Sequence, residues 1–197
     1  MLVLGIDPGT ANTGYGVLRA ERAGVVTLLE CGVIRTRPRD PLGARLAEIY
    51  DGVSELIARH HPDALSVEDV FYSRNVRTTV VLGHARGVIL LAGQQANLTI
   101  HEFPPAEIKK AVVGTGAATK EQVQFMLARL LRLKAVPQPS DAADGVAAAL
   151  AYVMSAHALQ LAAAASPARV RASDRARREE AIARAVARLA TRRGANE

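Results

Sequence analysis

Four acidic residues stand at positions that are unusual for surface side chains. Asp7 ends the first apolar run of the chain, and Glu68 lies within the apolar run 64–70, where glutamate is disfavoured in a strand. Asp141 and Asp144 open an alanine-rich segment. Taken singly, each acid has a structural alternative: a turn former for Asp7, an exposed strand face for Glu68, and a favourable helix N-terminal charge for the other two.

Metal binding is one explanation that covers all four acids. Asp141 and Asp144 are three residues apart, so a helix places them on one face, where two negative charges repel unless a cation lies between them. Carboxylate oxygens from separate elements are the ligands that Mg²⁺ and Mn²⁺ prefer. Two such ions about 3.5–4 Å apart can activate a water and stabilise the leaving oxygen of a phosphodiester.

Other kinds of catalytic site find less support in the sequence. The single cysteine, Cys31, excludes a disulfide framework and a cysteine-based zinc cluster, and it suits a reducing compartment. The histidines lack partners at the spacing of zinc ligands, and no Ser-His-Asp order stands out. We therefore expect all five histidines to be structural.

The elements that would position the acids follow an α/β pattern. Strands are predicted over residues 2–6, 14–19, 25–36, 64–70 and 98–103. Helices are predicted over residues 41–60, 75–95, 104–113, 119–133 and from 140 onward. This order predicts a mixed five-stranded sheet flanked by helices. Asp69 should point away from Glu68, to the other face of the sheet, because strand side chains alternate.

The uncharged stretch 145–165 could be mistaken for a membrane span. It is dominated by alanine and contains few of the side chains that insert favourably into lipid. We therefore expect a largely buried helix, no membrane partner and a cytoplasmic protein.

Positive charge is concentrated in two regions of a chain whose net charge is +6. Residues 70–135 carry nine Lys and Arg against three acids, and residues 166–197 carry nine Arg against four acids. The second region follows Ser166-Pro167, so we expect a domain over residues 1–165 and a basic, flexible tail over 166–197. The tail is either simply solvated or an electrostatic arm for nucleic acid.

A candidate phosphate-binding site lies in the basic middle of the chain, residues 70–135. After a glycine-rich turn, Thr119 and Gln122 have the spacing of a capping box, which predicts a helix start. Lys120 would lie in the first turn of that helix, where backbone N–H groups and the lysine charge together attract phosphate. Lys109 and Lys110 lie on the preceding short helix. The alternative is that these are ordinary surface lysines.

Four segments occur together in one order: GIDPGTANTGYG at 5–16, SVEDVF at 66–71, AEIKKAVVGTGAATKEQV at 106–123 and PSDAADGVAAAL at 139–150. In this combination, from residue 1 to about residue 158, the chain resembles the RuvC family, the bacterial Holliday junction resolvases of the ribonuclease-H-like superfamily. The resemblance places the four metal-binding carboxylates of the family on Asp7, Glu68, Asp141 and Asp144. Some members have a histidine at the position of Asp141.

The resemblance implies a ribonuclease-H-like fold and an endonuclease that resolves four-way DNA junctions in recombination and repair. It implies two Mg²⁺ ions per active site, with Mn²⁺ as a substitute, and paired nicks that leave 5′-phosphate and 3′-hydroxyl ends. A homodimer is also implied, since its two-fold symmetry would match that of the junction. The implied protein partners are RuvA and RuvB, which carry out branch migration.

The resemblance also assigns DNA contacts. Lys109 and Lys120 correspond to the DNA-contacting lysines of the family. Phe71, otherwise an ordinary candidate for the core, corresponds to an aromatic side chain that stacks on a base near the crossover. Arg74 and Arg77 would flank it on phosphates.

Three other functions fit the sequence less well. The segment DPGT also resembles the first phosphate motif of actin-like and Hsp70-type ATPases, but that class needs two such domains around a nucleotide, which 197 residues cannot supply. A RuvC-like nuclease acting on RNA, such as the YqgF family, shares the first acid, although the basic middle favours the junction resolvase. The full set of four acids argues against a catalytically inactive binding module.

Overall fold

The structure is a computed structural model that describes residues 1–21, 24–69 and 76–165, with side chains up to residue 158. The strands are β1 (Leu2–Asp7), β2 (Asn12–Ala20), β3 (Val26–Arg35), β4 (Ala64–Glu68) and β5 (Thr99–Phe103). The helices are α1 (Leu42–His60), α2 (Val76–Gln95), α3 (Pro105–Val113), α4 (Lys120–Leu130) and α5 (Ser140–Ala165). The chain divides into two units, residues 1–157 and 158–197. The predicted tail 166–197 lies outside the described residues.

The five strands form one mixed sheet in the order β3-β2-β1-β4-β5. The first three strands are antiparallel neighbours, and β4 runs parallel to both β1 and β5. The predicted mixed five-stranded sheet is therefore confirmed. In the described part of the chain, no helix combines the length and apolar character needed to cross a membrane.

Two element ends differ from the sequence prediction. Strand β4 ends at Glu68, so this acid closes the strand instead of lying inside it. Helix α4 ends at Leu130 and not at residue 133, because the chain turns at Arg132, which adopts the left-handed conformation with a φ of 52°. These ends are set by tertiary pairing and by local turns, which apolar periodicity does not report.

The sheet separates two apolar cores. On one face, helices α1 and α2 contribute Ile49 and Ile89 to a core that includes Leu65 of β4. On the other face, α4 and α5 contribute Leu127 and Leu150 to a second core. Both faces are covered, which explains why β1 and β4 are almost continuously apolar up to their last residues.

Helix α5 approaches the sheet more closely than side chains usually allow. A Cβ at Gly5 would overlap the backbone of Ala149, and one at Gly14 would overlap the carbonyl of Asp141. The hydroxyl of Ser66, which is fully buried, donates a hydrogen bond of 2.7 Å to the carbonyl oxygen of Ala148. Small residues on the sheet thus fix the depth of α5 through backbone contacts.

Candidate active site

The register of the sheet places Asp7 and Glu68 side by side. Strands β1 and β4 are parallel, and Ile6 is paired with Val67, so the next residue of each strand lies at the same carboxyl edge. Two residues earlier, Gly5 and Ser66 both face α5. Because strand side chains alternate, Asp7 and Glu68 point to that same face.

The first turns of α5 bring two more acids to this edge. Asp141 and Asp144 lie one helical turn apart, and one carboxylate oxygen from each lies within 4.8 Å of one from Asp7. The close approach of Gly14 to the backbone of Asp141 holds this end of α5 against β2, beside β1. The acids predicted as metal ligands from separate elements therefore converge, with Asp7, Asp141 and Asp144 forming the tightest group.

The surroundings of Asp7 and Glu68 disfavour their charged forms. Burial raises the pKa of Asp7 to about 8, and the charges of Glu68, Asp144 and Asp141 add to the increase. Burial likewise raises the pKa of Glu68 to about 7, with a further contribution from Asp144. Several hard carboxylate oxygens that repel one another fit a divalent cation, since a shared ion would stabilise all of them in the charged form.

Two lysines border the acid cluster, which consists of Asp7, Glu68, Asp141 and Asp144. The Nζ of Lys120 donates a hydrogen bond of 2.7 Å to Oδ2 of Asp144, and this bond raises the pKa of Lys120. Lys109 is close enough that its charge lowers the pKa of Glu68. The neighbouring Lys110 is exposed.

Helix α4 begins where the sequence predicted. The Thr119 hydroxyl accepts a hydrogen bond from the backbone N–H of Gln122, and the Gln122 side chain accepts one from the backbone N–H of Thr119. This confirms the capping box and places Lys120 at the first position of the helix, beside Asp144.

The remaining predicted DNA contacts lie around helix α2. Arg77 is the second residue of α2 and lines a cavity together with Thr10 of the loop after β1. Phe71 and Arg74 lie outside the described residues.

Sequence reasoning missed two polar networks behind the site. Arg45 of α1 donates hydrogen bonds to the carbonyl oxygen of Thr10 and to the hydroxyl of Thr36, which holds the loop that follows Asp7. Arg86 of α2 forms ion pairs with Asp69 and Glu102. The available signal was Arg86, which stands between apolar stretches in the middle of α2. The contact with α2 confirms that Asp69 faces away from Glu68.

A polar cluster around one carboxylate, the Glu30 cluster, lies on the α1 face of the sheet. The Tyr15 hydroxyl donates a hydrogen bond of 2.9 Å to Glu30, and His60 and Arg59 contact the same carboxylate at 2.7 and 3.4 Å. Burial alone would raise the pKa of Glu30, but the hydrogen bonds from His60 and Tyr15 and the charge of Arg59 outweigh it, so this pKa is lowered.

Comparison with known proteins is consistent with this geometry. A family model described as crossover junction endodeoxyribonuclease RuvC matches residues 3–152. The RuvC proteins of Desulforamulus reducens and Moorella thermoacetica are 44% and 47% identical to the chain over 154 and 152 residues. Each alignment covers 77% of this chain, and they cover 93% and 90% of the respective relatives.

Solved structures give the same grouping. The structure described as Thermus thermophilus RuvC in complex with Holliday junction substrate matches with a TM-score of 0.73 and 34% identity, covering 80% of this chain and 96% of that one. The yeast mitochondrial Holliday junction resolvase Ydc2 matches with a TM-score of 0.57 at 14% identity, over 77% of this chain and 78% of that one, which is a likeness of fold alone.

Proposed function

The chain belongs to the RuvC family of crossover junction endodeoxyribonucleases, the Holliday junction resolvases, and we propose which of its residues carry out the reaction. The observation that carries the proposal is the convergence of Asp7, Asp141 and Asp144 within 4.8 Å, with Glu68 on the neighbouring strand. The relatives from Desulforamulus reducens and Moorella thermoacetica are both crossover junction endodeoxyribonucleases, so the RNA-directed alternative is not favoured.

We propose that these four acids hold two Mg²⁺ ions, for which Mn²⁺ can substitute. Bound there, the ions would supply an activated water and charge stabilisation for the leaving oxygen. The acids would hold the ions where the scissile phosphate of a four-way junction binds. In the hydrolysis a bond forms between the water oxygen and phosphorus, the bond from phosphorus to the 3′ oxygen breaks, and the water gives up a proton while the 3′ oxygen gains one, which leaves 5′-phosphate and 3′-hydroxyl ends.

The basic side chains near the site would orient the DNA. Lys120 is half exposed and contacts Asp144, so its ammonium group can also reach a phosphate next to the bound ions. Lys109 lies beside Glu68, and the exposed Lys110 would extend the same basic surface. Such contacts position the duplex arms without reading their sequence.

Three further contacts are proposed from the sequence. Arg77 and Arg74 would bind phosphates near the crossover, and Phe71 would stack on an unpaired base there. The basic tail 166–197 would add an attraction to DNA that does not depend on sequence or junction structure.

Paired nicks on opposing strands require two active sites related by a two-fold axis, so we propose that the protein acts as a homodimer. The surface of α2 supports this arrangement: Val76 and Val80 are 74% and 53% exposed, which is high for apolar residues. A Cβ at Gly83 or Gly87 would meet nothing within 4 Å among the described residues, so this face can accept a closely approaching helix. By family membership, RuvA and RuvB are the proposed partners, and the cytoplasm is the proposed location.

The direct test compares cleavage of a four-way junction, a plain duplex and a single-stranded RNA, each with Mg²⁺ and with EDTA. We expect paired nicks in the junction only, in the presence of Mg²⁺ only. A Val80→Lys variant, which places charge on the α2 face, should sediment as a monomer and lose paired nicking. Equal cutting of duplex or RNA would contradict the proposed substrate, and paired nicking by a monomer would contradict the proposed dimer.

A further inference from the structure

Arg86 connects three elements on the face of the sheet opposite the acid cluster. It extends from α2, and its guanidinium forms an ion pair of 3.2 Å with Asp69, directly after β4, and a second ion pair with Glu102 of β5. Its Nε is buried and has no hydrogen-bond partner among the residues that the structure describes. The guanidinium is thus placed by the two carboxylates and not by full satisfaction of its own donors.

The residue that Arg86 holds is the immediate neighbour of Glu68. The backbone N–H of Asp69 donates a hydrogen bond of 2.8 Å to the carbonyl oxygen of Phe103, which extends the pairing of β4 with β5 by one residue. Successive side chains of a strand point to opposite faces, so fixing the Asp69 side chain on the α2 face fixes the direction of Glu68 on the α5 face.

We propose that Arg86 is a positioning residue of the nuclease: by holding Asp69, it keeps the carboxylate of Glu68 directed at the metal site. The inference rests on the proposed function of Glu68 as a metal ligand. Groups that orient a metal ligand from behind are known to affect metal affinity even though they never contact the ion.

A purely stabilising role would have a different consequence. The side chains of Arg86, Asp69 and Glu102 are 28%, 44% and 37% exposed, and ion pairs with this much exposure contribute little to global stability. The loss of Arg86 should therefore change the positions of Glu68 and Asp69 at the end of β4, with little change in the melting temperature of the whole domain.

A purely electrostatic role would also differ, and with the opposite sign. Arg86→Met removes a positive charge from the neighbourhood of a cation site, which by charge alone would strengthen the binding of Mn²⁺. If Arg86 positions Glu68, the same substitution weakens Mn²⁺ binding. Both ion pairs of Arg86 are made by its Nη2. Arg86→Lys keeps the charge, but its ammonium nitrogen lies one bond closer to the backbone than Nη2 and is not planar, so it too should weaken binding.

The experiment is a titration of the full chain with Mn²⁺ in the absence of DNA, with free Mn²⁺ followed by electron paramagnetic resonance. We expect the dissociation constant to rise about 10-fold for Arg86→Met and by a smaller factor for Arg86→Lys. Arg59→Met is the matched control, because Arg59 also contacts two acids, Glu30 and Glu55, but away from the acid cluster. It should leave the Mn²⁺ affinity unchanged.

Glu68→Gln separates this inference from the proposed function. If Glu68→Gln keeps the wild-type Mn²⁺ affinity, the proposed metal site is wrong. If Glu68→Gln loses affinity while Arg86→Met and Arg86→Lys bind Mn²⁺ as tightly as the wild type or more tightly, the site is supported and the positioning role of Arg86 is overturned. Should Arg86→Met fail to fold, Arg86→Lys alone decides, since its charge is that of the wild type.

Discussion

Glu30 and the acid cluster lie on opposite faces of the same sheet, and their surroundings shift the pKa of the acids in opposite directions. Glu30, on the α1 face, is surrounded by a tyrosine hydroxyl, a histidine and an arginine, and its pKa is lowered. Asp7, on the α5 face, is surrounded mainly by other acids, and its pKa is raised to about 8. Hydrogen-bond donors and cations stabilise the charged form of Glu30, whereas too few of them surround Asp7 to offset its burial and the neighbouring negative charges.

The difference shows what distinguishes a structural acid from one reserved for a ligand. At Glu30 the surrounding donors are in place, so the acid joins β3 to the end of α1 without any further group. At the acid cluster Lys120 and Lys109 offer two positive charges to four carboxylates. The uncompensated charge is a cost in stability that a bound cation would remove.

The largest effect expected from this comparison is on catalysis. Asp7→Asn replaces a proposed metal ligand by a neutral side chain of the same shape, so cleavage of a four-way junction should fall by orders of magnitude. The affinity for the junction, measured by fluorescence anisotropy, should stay close to that of the wild type, because phosphate contacts made by other residues are unchanged.

Glu30→Gln is the matched control for Asp7→Asn, since it also neutralises one half-buried acid. It should cut junctions at nearly the wild-type rate. If Asp7→Asn retained full activity, or if Glu30→Gln lost it, the distinction drawn between the two clusters would be wrong.

A second prediction concerns stability, where the two substitutions should act with opposite signs. The folded-state pKa of Asp7 is about 8 against an ordinary value of 3.8, so its favourable contribution is complete below about pH 4 and is lost as the pH rises to 8. Asp7→Asn should therefore raise the free energy of unfolding of the metal-free protein at pH 8 by more than about 1 kcal/mol. The gain should vanish near pH 4.

The pKa of Glu30 is lowered, so its contribution is present above its ordinary value of 4.5 and is lost as the pH falls below it. Glu30→Gln should destabilise the protein at pH 8 by less than about 1 kcal/mol, because the cluster is partly exposed. Urea unfolding in EDTA at pH 4 and pH 8 measures both effects. Two shifts of the same sign at pH 8 would contradict the assignment.

The smallest expected effect is on the salt dependence of junction binding, which should change when a lysine of the acid cluster is removed and not when Arg59 of the Glu30 cluster is removed. Lys109→Ala and Lys120→Ala should each weaken junction binding and reduce the slope of log affinity against log salt by about 1, as loss of one phosphate contact does. Arg59→Ala, which removes a cation of the Glu30 cluster, should leave the slope unchanged. Unchanged slopes for both lysines would mean that neither contacts DNA.

The sequence was sufficient to predict the sheet, the clustering of Asp7 with Asp141 and Asp144, and the start of α4, because each depends on local signals. The apolar runs, the acids within or beside them and the Thr119 to Gln122 spacing are all visible in one dimension. The end of β4 at Glu68 and the ion pairs of Arg86 depend on which elements become neighbours in space. The acids could thus be found from the sequence, whereas the groups that aim and neutralise them required the structure.

The contact between α5 and the sheet has a consequence for how the family can vary. At Gly5 and Gly14 backbone meets backbone, so no rotamer is available to absorb an added atom. Even alanine would displace the helix that carries Asp141 and Asp144. Tolerance to substitution at these positions should therefore be all-or-none, in contrast to the graded losses seen when ordinary core side chains are trimmed. In a library of random variants, we expect every substitution at Gly5 or Gly14 to abolish function, whereas substitutions at Leu150 or Ile49 should reduce it by degrees.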